Sequence, residues 1–441
     1  MSQSRLKKLF LQKIVPYSLF IFFIVLIFFA ISRKIESLND MNARNFMPVH
    51  EKYMAAKNSL KSNPEKAVED LKILTKKYPE FPETYGLLAK YFFEKKDPEA
   101  ALSYLQSGLE NSPDSRKLKF QTGRLLFNLK KYAQSRQIFE ELNEEFPKNT
   151  SVLFYLARSC FALKDYELAA RIYSKILEIR PEKSRAYINL GITEVKLHFP
   201  EKALENYQKA LKIQDNDAVA CYNLGLWYSK NGDTAAALNW YKKAVSIKKG
   251  YAKACYNMAI IYHEMNDSKN AEKNYINAID ADKAYVKAYL NLADLYQKQE
   301  SFGKARALLQ KAVEISEDFR LSNKLAQVYE LNNEEEQAME LYGQILEKDP
   351  ENPETLMNLS QLHQRQKNYG VSRYYIEKYI SLFPEKPLAR YILMVNEYNG
   401  RDFREAWQQW EVLDRIAPDF QDMKGYREKI FSRLNQEQFA F

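Results

Sequence analysis

Asparagines at a fixed spacing are the residues in this sequence whose chemistry is easiest to interpret. Asn189, Asn223, Asn257 and Asn291 each lie 34 residues after the one before. An asparagine side chain offers both a donor and an acceptor, so one asparagine per repeat suits binding of an extended peptide backbone irrespective of its sequence. The alternative interpretation is that these amides only tie neighbouring helices together.

Other kinds of chemistry lack the residues that they need. The four histidines are scattered without a second ligand at metal spacing, and the chain has no C-x-x-C, no glycine-rich phosphate loop and no serine in a nucleophile turn. The net charge is +9, but residues 1–47 hold seven basic and two acidic side chains, so most of the surplus lies at one end. The sequence therefore predicts no enzyme activity, metal, cofactor or small-molecule substrate, and no nucleic-acid partner.

The period of 34 residues extends far beyond the asparagines. Prolines 79, 113, 147 and 181 keep it, and prolines 350, 384 and 418 resume it after one residue is lost. A sustained period of this length is typical of a stacked array rather than of one globular core. Residues 48–420 divide into eleven units, in which we number positions from 1. The units begin at Pro48, Pro82, Arg116, Thr150, Ser184, Ala218, Ala252, Val286, Phe319, Pro353 and Pro387.

Each unit has the pattern of two packed helices. Position 8 is small in ten of the eleven units, position 20 is small in all of them, and position 24 is large in each. Small residues let two helix axes approach, and large ones fill the space beside them. Apolar positions 4, 7, 8 and 11 form one helical face, and a second helix is expected to begin near position 18. Proline at position 32 ends that helix, and in the four units without it we expect helix continuation and polar capping.

These positions carry a family resemblance. With Leu at position 7, Gly or Ala at 8, Tyr at 11, Ala at 20, Tyr or Phe at 24, Ala at 27 and Pro at 32, residues 48–420 resemble tetratricopeptide repeats. The resemblance implies an all-α fold, a right-handed α-solenoid of about eleven helix pairs. Residues 421–441, with apolar side chains at helical spacing, are expected to form a C-terminal capping helix.

The resemblance also implies where a partner binds. In the family, the first helices line a concave groove, and positions 2, 5, 6, 9 and 13 face a bound peptide. Around the asparagines, in the fifth to eighth units, these positions are mostly basic, polar or apolar, and only Glu264 and Asp294 oppose the basic residues there. Such a groove suits a protein or peptide with acidic and hydrophobic residues. The candidate binding residues are Arg185, Asn189, Lys196, Tyr222, Asn223, Lys230, Lys253, Tyr256, Asn257, Lys287, Asn291 and Lys298.

One binding mode of the family is not expected here. The two-carboxylate clamp for chaperone tails uses Lys at position 5 and Asn at position 9 of its first unit. In this chain Lys52 at position 5 is followed by Ala56 at position 9. The resemblance therefore gives no support to binding of chaperone tails.

The N-terminal segment indicates a membrane anchor. Residues 14–32 contain no charged side chain over 19 positions, enough for a transmembrane helix of roughly 28 Å at about 1.5 Å per residue. A cleaved signal peptide is the competing interpretation, but the apolar run is longer than the ~7 to 15 residues usual there. Four basic residues precede the helix, so residues 1–13 should stay in the cytoplasm. Residues 33–47 would be a stalk, and the repeats would lie in the periplasm of a bacterial inner-membrane protein.

The three cysteines bear on this orientation. Cys160, Cys221 and Cys255 occupy packing positions of three different units. Equivalent sites one helix pair apart are on the order of 10 Å from each other, beyond the ~7 Å Cα limit for a disulfide. We expect buried, unpaired thiols, which are more usual in the cytoplasm than outside it.

The sequence thus predicts a membrane-tethered scaffold that recruits or assembles another protein at a bacterial cell envelope. One alternative resembles the import receptors of the mitochondrial outer membrane, with the array facing the cytosol. Another is a non-catalytic regulatory or substrate-presenting subunit of an enzyme such as a glycosyltransferase. A structural protein that co-purifies would favour the scaffold, and a co-purifying enzyme would favour the regulatory subunit.

Overall fold

The computed structural model describes residues 48–420 and 423–438. Within these residues the chain forms 23 α-helices and no strand, so the all-helical prediction is confirmed. None of the helices in this part of the chain is both long and apolar enough to cross a membrane. The predicted basic N-terminus (1–13), transmembrane helix (14–32) and stalk (33–47) lie outside the described residues.

The described residues divide into two compact bodies, one on each side of the boundary between Ile213 and Gln214. We call them the N-terminal body and the C-terminal body. The helices of the N-terminal body are α1 (48–59), α2 (Pro64–Lys77), α3 (Pro82–Glu94), α4 (Pro98–Asn111), α5 (Arg116–Asn128), α6 (Tyr132–Glu145), α7 (Thr150–Ala162), α8 (Tyr166–Ile179), α9 (Ser184–Lys196) and α10 (Pro200–Ile213). Those of the C-terminal body are α11 (Ala218–Lys230), α12 (Thr234–Ile247), α13 (Ala252–Glu264), α14 (Ser268–Ala281), α15 (Val286–Lys298), α16 (Phe302–Ile315), α17 (Phe319–Leu331), α18 (Glu335–Lys348), α19 (Pro353–Arg365), α20 (Tyr369–Leu382), α21 (Pro387–Asn399), α22 (Phe403–Ile416) and α23 (Met423–Gln438).

The turn inside each unit from the second to the eleventh has the same backbone geometry. Second helices begin at position 17, one residue earlier than expected, because position 16 acts as the N-cap: Asp97, Asp165 and Asp233 each accept a hydrogen bond from a backbone N–H of the following turn. Position 15 has a positive φ in every unit from the second to the eleventh, for example 60° at Lys130 and 80° at Gly232. A left-handed residue followed by a capping residue reverses the chain between the two helices.

The expectation of helix continuation in units without proline is wrong. Helix α12 has no proline after it, yet it ends at Ile247, at position 30, just as α4 ends at Asn111 before Pro113. Both ends use the same bond, in which the N–H of the next residue donates to a carbonyl four residues earlier. A proline is therefore not needed to end the helix, and the start of the next packed helix fixes the same boundary.

The small and large positions pack as the pattern predicts. All eleven residues at position 20 are fully buried, and the tyrosines at position 24 are at most 2% exposed. In the sixth unit a Cβ atom added to Gly225 would lie only 2.5 Å from Cε1 of Tyr241. The tyrosine ring thus occupies the space that the small residue leaves open.

The last unit packs differently because a further helix covers it. Met394, Ala406 and Ile430 are fully buried in one cluster that joins α21, α22 and α23. The indole N–H of Trp410 donates to the backbone carbonyl of Met423 at 2.9 Å. Helix α23 therefore provides the apolar cover expected of a capping helix.

The cysteines are buried and free in the described structure. Burial raises the pKa of the Cys160 thiol to about 11 and also raises the pKa values of Cys221 and Cys255. All three thiols are therefore protonated and unreactive at neutral pH.

Candidate functional site

The candidate binding residues lie on the first helices of four units. In the N-terminal body, α9 holds Arg185, Asn189 and Lys196. In the C-terminal body, α11, α13 and α15 hold the other nine. Positions 2, 5, 6, 9 and 13 share one side of a helix, because neighbouring side chains on a helix face recur every three or four residues. Within each body we call this side the first-helix face.

Two of the asparagines at position 6, Asn257 and Asn291, each bond to two tyrosines of the preceding unit. The Nδ2 of Asn257 donates to the hydroxyls of Tyr222 and Tyr241, both at 3.4 Å. The Nδ2 of Asn291 donates to the Tyr256 hydroxyl at 3.1 Å and also bonds Tyr275. We call each such arrangement an asparagine clasp.

The N-terminal body repeats part of this arrangement, in which Asn189 hydrogen-bonds the hydroxyl of Tyr173. Asn223 differs, because its Nδ2 donates to the carbonyl of Val219 in its own helix at 2.8 Å. In a clasp both N–H groups of the amide have structural partners, so its carbonyl oxygen is the group that could accept from a ligand. The amides of Asn189, Asn257 and Asn291 thus bond to tyrosines of the preceding repeat, and that of Asn223 bonds within its own helix.

We predict that alanine at Asn257 destabilises its helix clearly, whereas alanine at Asn223 has little effect. Asn257→Ala leaves the hydroxyl of Tyr222 without its donor and removes one of the two side-chain partners of the Tyr241 hydroxyl, and we expect it to lower the free energy of opening of α13 by about 1–2 kcal/mol. Asn223→Ala breaks only a bond within its own helix and should change the opening of α11 by less than about 0.5 kcal/mol. Hydrogen exchange of amides in α11 and α13 measures both, and equal effects would show that the clasp does not join repeats.

The tyrosines of the clasps and the turns beside them have high pKa values. Burial raises the pKa of Tyr251, Tyr275 and Tyr285 to about 12. The rings of Tyr222 and Tyr251, and those of Tyr256 and Tyr285, lie 5.2 Å apart, so each aromatic pair extends the clasp to the next turn.

We predict that the C-terminal body loses stability between pH 10 and pH 12. The folded-state pKa values of these tyrosines lie above the ordinary value of about 10, so unfolding releases protons in this window. Stability from the neutral tyrosines is complete below pH 10 and is lost as the pH rises through 12. Phenolate absorbance should therefore rise in an early and a late phase, and Tyr275→Phe should reduce the late phase. A single transition near pH 10 would contradict this prediction.

Six basic side chains give the first-helix face its charge. All six are exposed, and none forms an ion pair with a carboxylate in the part of the chain that the structure describes. The Nζ of Lys298 instead lies 3.3 Å from Nε2 of His263. The six residues are Arg185, Lys196, Lys230, Lys253, Lys287 and Lys298.

A seventh basic residue forms an ion pair with one of the two acidic residues of the face. Asp294 forms an ion pair with Lys324, which occupies position 6 of the ninth unit, where four earlier units have asparagine. Sequence reasoning missed this lysine because only the asparagines at that position were considered. The carboxylate of Asp294 is thus neutralised by the protein itself, which makes the face of the C-terminal body more positive than the sequence suggested.

Sequence reasoning also missed two pockets in the N-terminal body. One has a volume of about 490 Å³ and lies between α3 and α5, and the other has about 410 Å³ and lies among α5, α7 and α9. Phenylalanine at position 12 of three consecutive units was the signal that could have revealed them. These residues are Phe93, Phe127 and Phe161. Among the described residues, no group of three His, Cys, Asp or Glu side chains is placed to hold a metal ion.

Comparisons with known proteins agree with the repeat pattern. Family models described as tetratricopeptide repeat match the chain at 61–116, 92–153, 126–191, 182–250, 252–285, 286–319 and 324–352. The solved structure of yeast Tom70 is 16% identical, covers 88% of this chain and 96% of its own, and gives a TM-score of 0.43. The solved structure of MamA from Desulfovibrio magneticus RS-1 is 21% identical. It covers 38% of this chain and 96% of its own, with a TM-score of 0.35. No curated protein matches the sequence.

Proposed function

Because the chain belongs to the tetratricopeptide repeat family, we propose that it is a membrane-tethered scaffold that binds a protein partner on its first-helix face. The observation that supports binding there is the set of exposed basic side chains without carboxylate partners. A folded protein normally scatters both charges over its surface, so a one-sided face indicates a partner of opposite charge.

The chemistry of the face describes the partner. Exposed lysines at positions 2 and 13 flank the clasp residues and the apolar side chains of Leu226 and Ile260. A segment with carboxylates at its edges and apolar side chains at its centre would complement them. The carbonyl oxygens of Asn257 and Asn291 could accept hydrogen bonds from its backbone N–H groups.

The proposed membrane tether is supported by the sequence of the N-terminal segment. Residues 14–32 form an uncharged apolar stretch preceded by four basic residues, which favours a single membrane span with the repeats in the periplasm of a bacterial cell. Recruitment or assembly at the cell envelope is the function that follows. Protease added to intact spheroplasts should digest the repeats. Protection until lysis would instead favour a cytosolic array, as in an import-type receptor or a regulatory subunit.

Charge reversal tests the binding face. Lys253→Glu combined with Lys287→Glu should abolish capture of partners that the wild-type chain retains from solubilised envelopes at low salt. The matched control is Lys242→Glu with Lys273→Glu, which makes the same change of charge at exposed positions of α12 and α14. The control should capture the same proteins as the wild type. Equal loss in both variants would mean that net charge, and not this face, determines capture.

A further inference from the structure

Asparagine followed by glycine occurs twice in this chain, at Asn231–Gly232 and at Asn399–Gly400. In such a pair the backbone nitrogen of the glycine can attack the side-chain carbonyl carbon of the asparagine, because glycine has no Cβ atom to block the approach. Both pairs lie where the first helix of a unit meets its turn, and all four residues are exposed. The backbone around the attacking nitrogen differs between the two pairs, and so should their reactivity.

The backbone at Gly232 leaves its nitrogen weakly held. Gly232 has a φ of 80°, and no heavy atom lies within 4 Å of the point where a Cβ atom would be. Its N–H group donates to the carbonyl of Ser229 at 3.2 Å, near the upper limit of a normal hydrogen bond. Asn231 already lies outside α11, with a φ of −90° and a ψ of 8°. The nitrogen of Gly232 can therefore turn toward the Asn231 side chain without giving up a helical bond to the residue four positions earlier.

The side chain of Asn231 is held by one hydrogen bond at the surface. Its Nδ2 donates to the backbone carbonyl of Trp227 at 2.8 Å, and the bond is exposed to water. One such bond reduces the population of the free side chain by at most about tenfold. The carbonyl carbon of this amide is therefore often free to meet the nitrogen of Gly232.

The second pair is protected by the helix that contains it. Asn399 is the last residue of α21, and the N–H of Gly400 donates to the carbonyl of Asn396 at 2.8 Å. Gly400 keeps a right-handed backbone, with a φ of −73° and a ψ of −4°. Asn396 is itself buried and donates to the hydroxyl of Ser372 in α20. The same reaction at Asn399 must first open a short helical bond in a packed turn.

We propose that Asn231 is a site of spontaneous deamidation. The nitrogen of Gly232 forms a bond to Cγ of Asn231, ammonia leaves, and a cyclic imide joins the two residues. Water then opens the ring at either of its carbonyl groups. One product is aspartate, and the other is isoaspartate, in which the main chain runs through the former side chain. No electron is transferred, and water is the co-reactant.

The modification changes the charge beside the first-helix face. Either product replaces a neutral amide by a carboxylate at the end of α11, next in sequence to Lys230, an exposed basic residue of that face. The Debye length is about 8 Å at physiological ionic strength, so the new charge lowers the positive potential around Lys230. Deamidated chains should therefore bind an acidic partner less tightly, a consequence that rests on the proposed function.

Peptide mapping of the full-length protein in detergent tests the modification. After incubation in mildly alkaline buffer, the peptide that contains Asn231 should show the mass change of an amide converted to a carboxyl group. Isoaspartate should be among the products, because direct hydrolysis of the amide forms aspartate alone. The peptide that contains Asn399 should react about tenfold more slowly, since a further helical bond must open first.

Asn231→Gln is the matched variant for the mapping. Glutamine keeps the amide, but its longer side chain would have to close a larger ring, so this peptide should stay unmodified through the same incubation. Three results would overturn the proposal: an unmodified Asn231, equal rates at Asn231 and Asn399, or a product without isoaspartate.

Partner capture from solubilised envelopes tests the consequence for binding. Asn231→Asp has the charge of the product without the longer main chain, and it should weaken capture about two- to threefold. Unchanged capture by Asn231→Asp, when Lys253→Glu with Lys287→Glu abolishes it, would overturn the effect on binding. Unchanged capture by the double lysine variant would instead contradict the scaffold proposal, whereas the mass measurement decides deamidation without any partner.

Discussion

Replacing Tyr241 with alanine should lower the free energy of opening of α11 and α12 by about 3–5 kcal/mol. The ring is 1% exposed, it fills the space beside Gly225, and its hydroxyl accepts a hydrogen bond from Asn257 of the next unit. The substitution thus opens a cavity and breaks a contact between repeats. Hydrogen exchange of the amides in these helices measures the loss.

The effect of a second substitution, Gly225→Ala, on stability should change sign when Tyr241 is also replaced by alanine. Gly225→Ala places a Cβ atom 2.5 Å from the Tyr241 ring in the wild-type chain, so we expect it to destabilise by about 1–2 kcal/mol. With Tyr241→Ala the ring is absent, the methyl group fills part of the cavity, and alanine gains about 1 kcal/mol of helix propensity over glycine. Gly225→Ala should therefore stabilise the double variant relative to Tyr241→Ala. An additive result would mean that the two residues do not share one space.

Replacing Ile430 with aspartate should release α23 from the last unit. Ile430 is fully buried against Met394 and Ala406, so the substitution removes apolar contacts and places an unpaired carboxylate in the cluster. We expect a loss of at least about 4 kcal/mol in the opening of α23. Detachment would expose Trp407 and Trp410, which should shift tryptophan fluorescence to longer wavelength.

Ser432→Asp provides the matched control for α23. Ser432 is exposed on the same helix, so the added charge meets water and the fluorescence should not change. Equal shifts in both variants would show that the negative charge on the helix, and not its buried contact, causes the release. Unchanged fluorescence in both would show that α23 does not cover the tryptophans.

The positions that decide the fold could be predicted from the sequence because they repeat. A fully buried alanine such as Ala237 and a buried tyrosine such as Tyr241 recur every 34 residues. The same residue type at the same position of successive units reveals a packing role that one unit alone would not. The helix boundaries were harder. Position 15 adopts a left-handed conformation with lysine, histidine, asparagine, glutamate or arginine as well as glycine, so residue type there gives little indication of the turn.

The candidate site was predictable only in part. Lysines at positions 2 and 13 could be placed on one face from spacing alone, since charge and position are enough for that. The hydrogen bonds of Asn257 depend on where two tyrosines of another unit point, and no spacing within one unit reveals this. The pockets of the N-terminal body were missed for a similar reason. Whether an arginine such as Arg158 pairs with an acid or stacks on a ring depends on neighbours in other helices.

The asparagine clasp has a consequence for how such a chain can change length. Residues 252–285 form one unit, and their removal would bring α15 next to α12. Asn291 would then meet Tyr222 and Tyr241, the same two kinds of hydroxyl that it meets now in Tyr256 and Tyr275. The new junction would have the same chemistry as the two that it replaces. Unequal recombination between copies of the repeat can therefore shorten or lengthen this part of the protein by a whole unit without creating an unfamiliar interface.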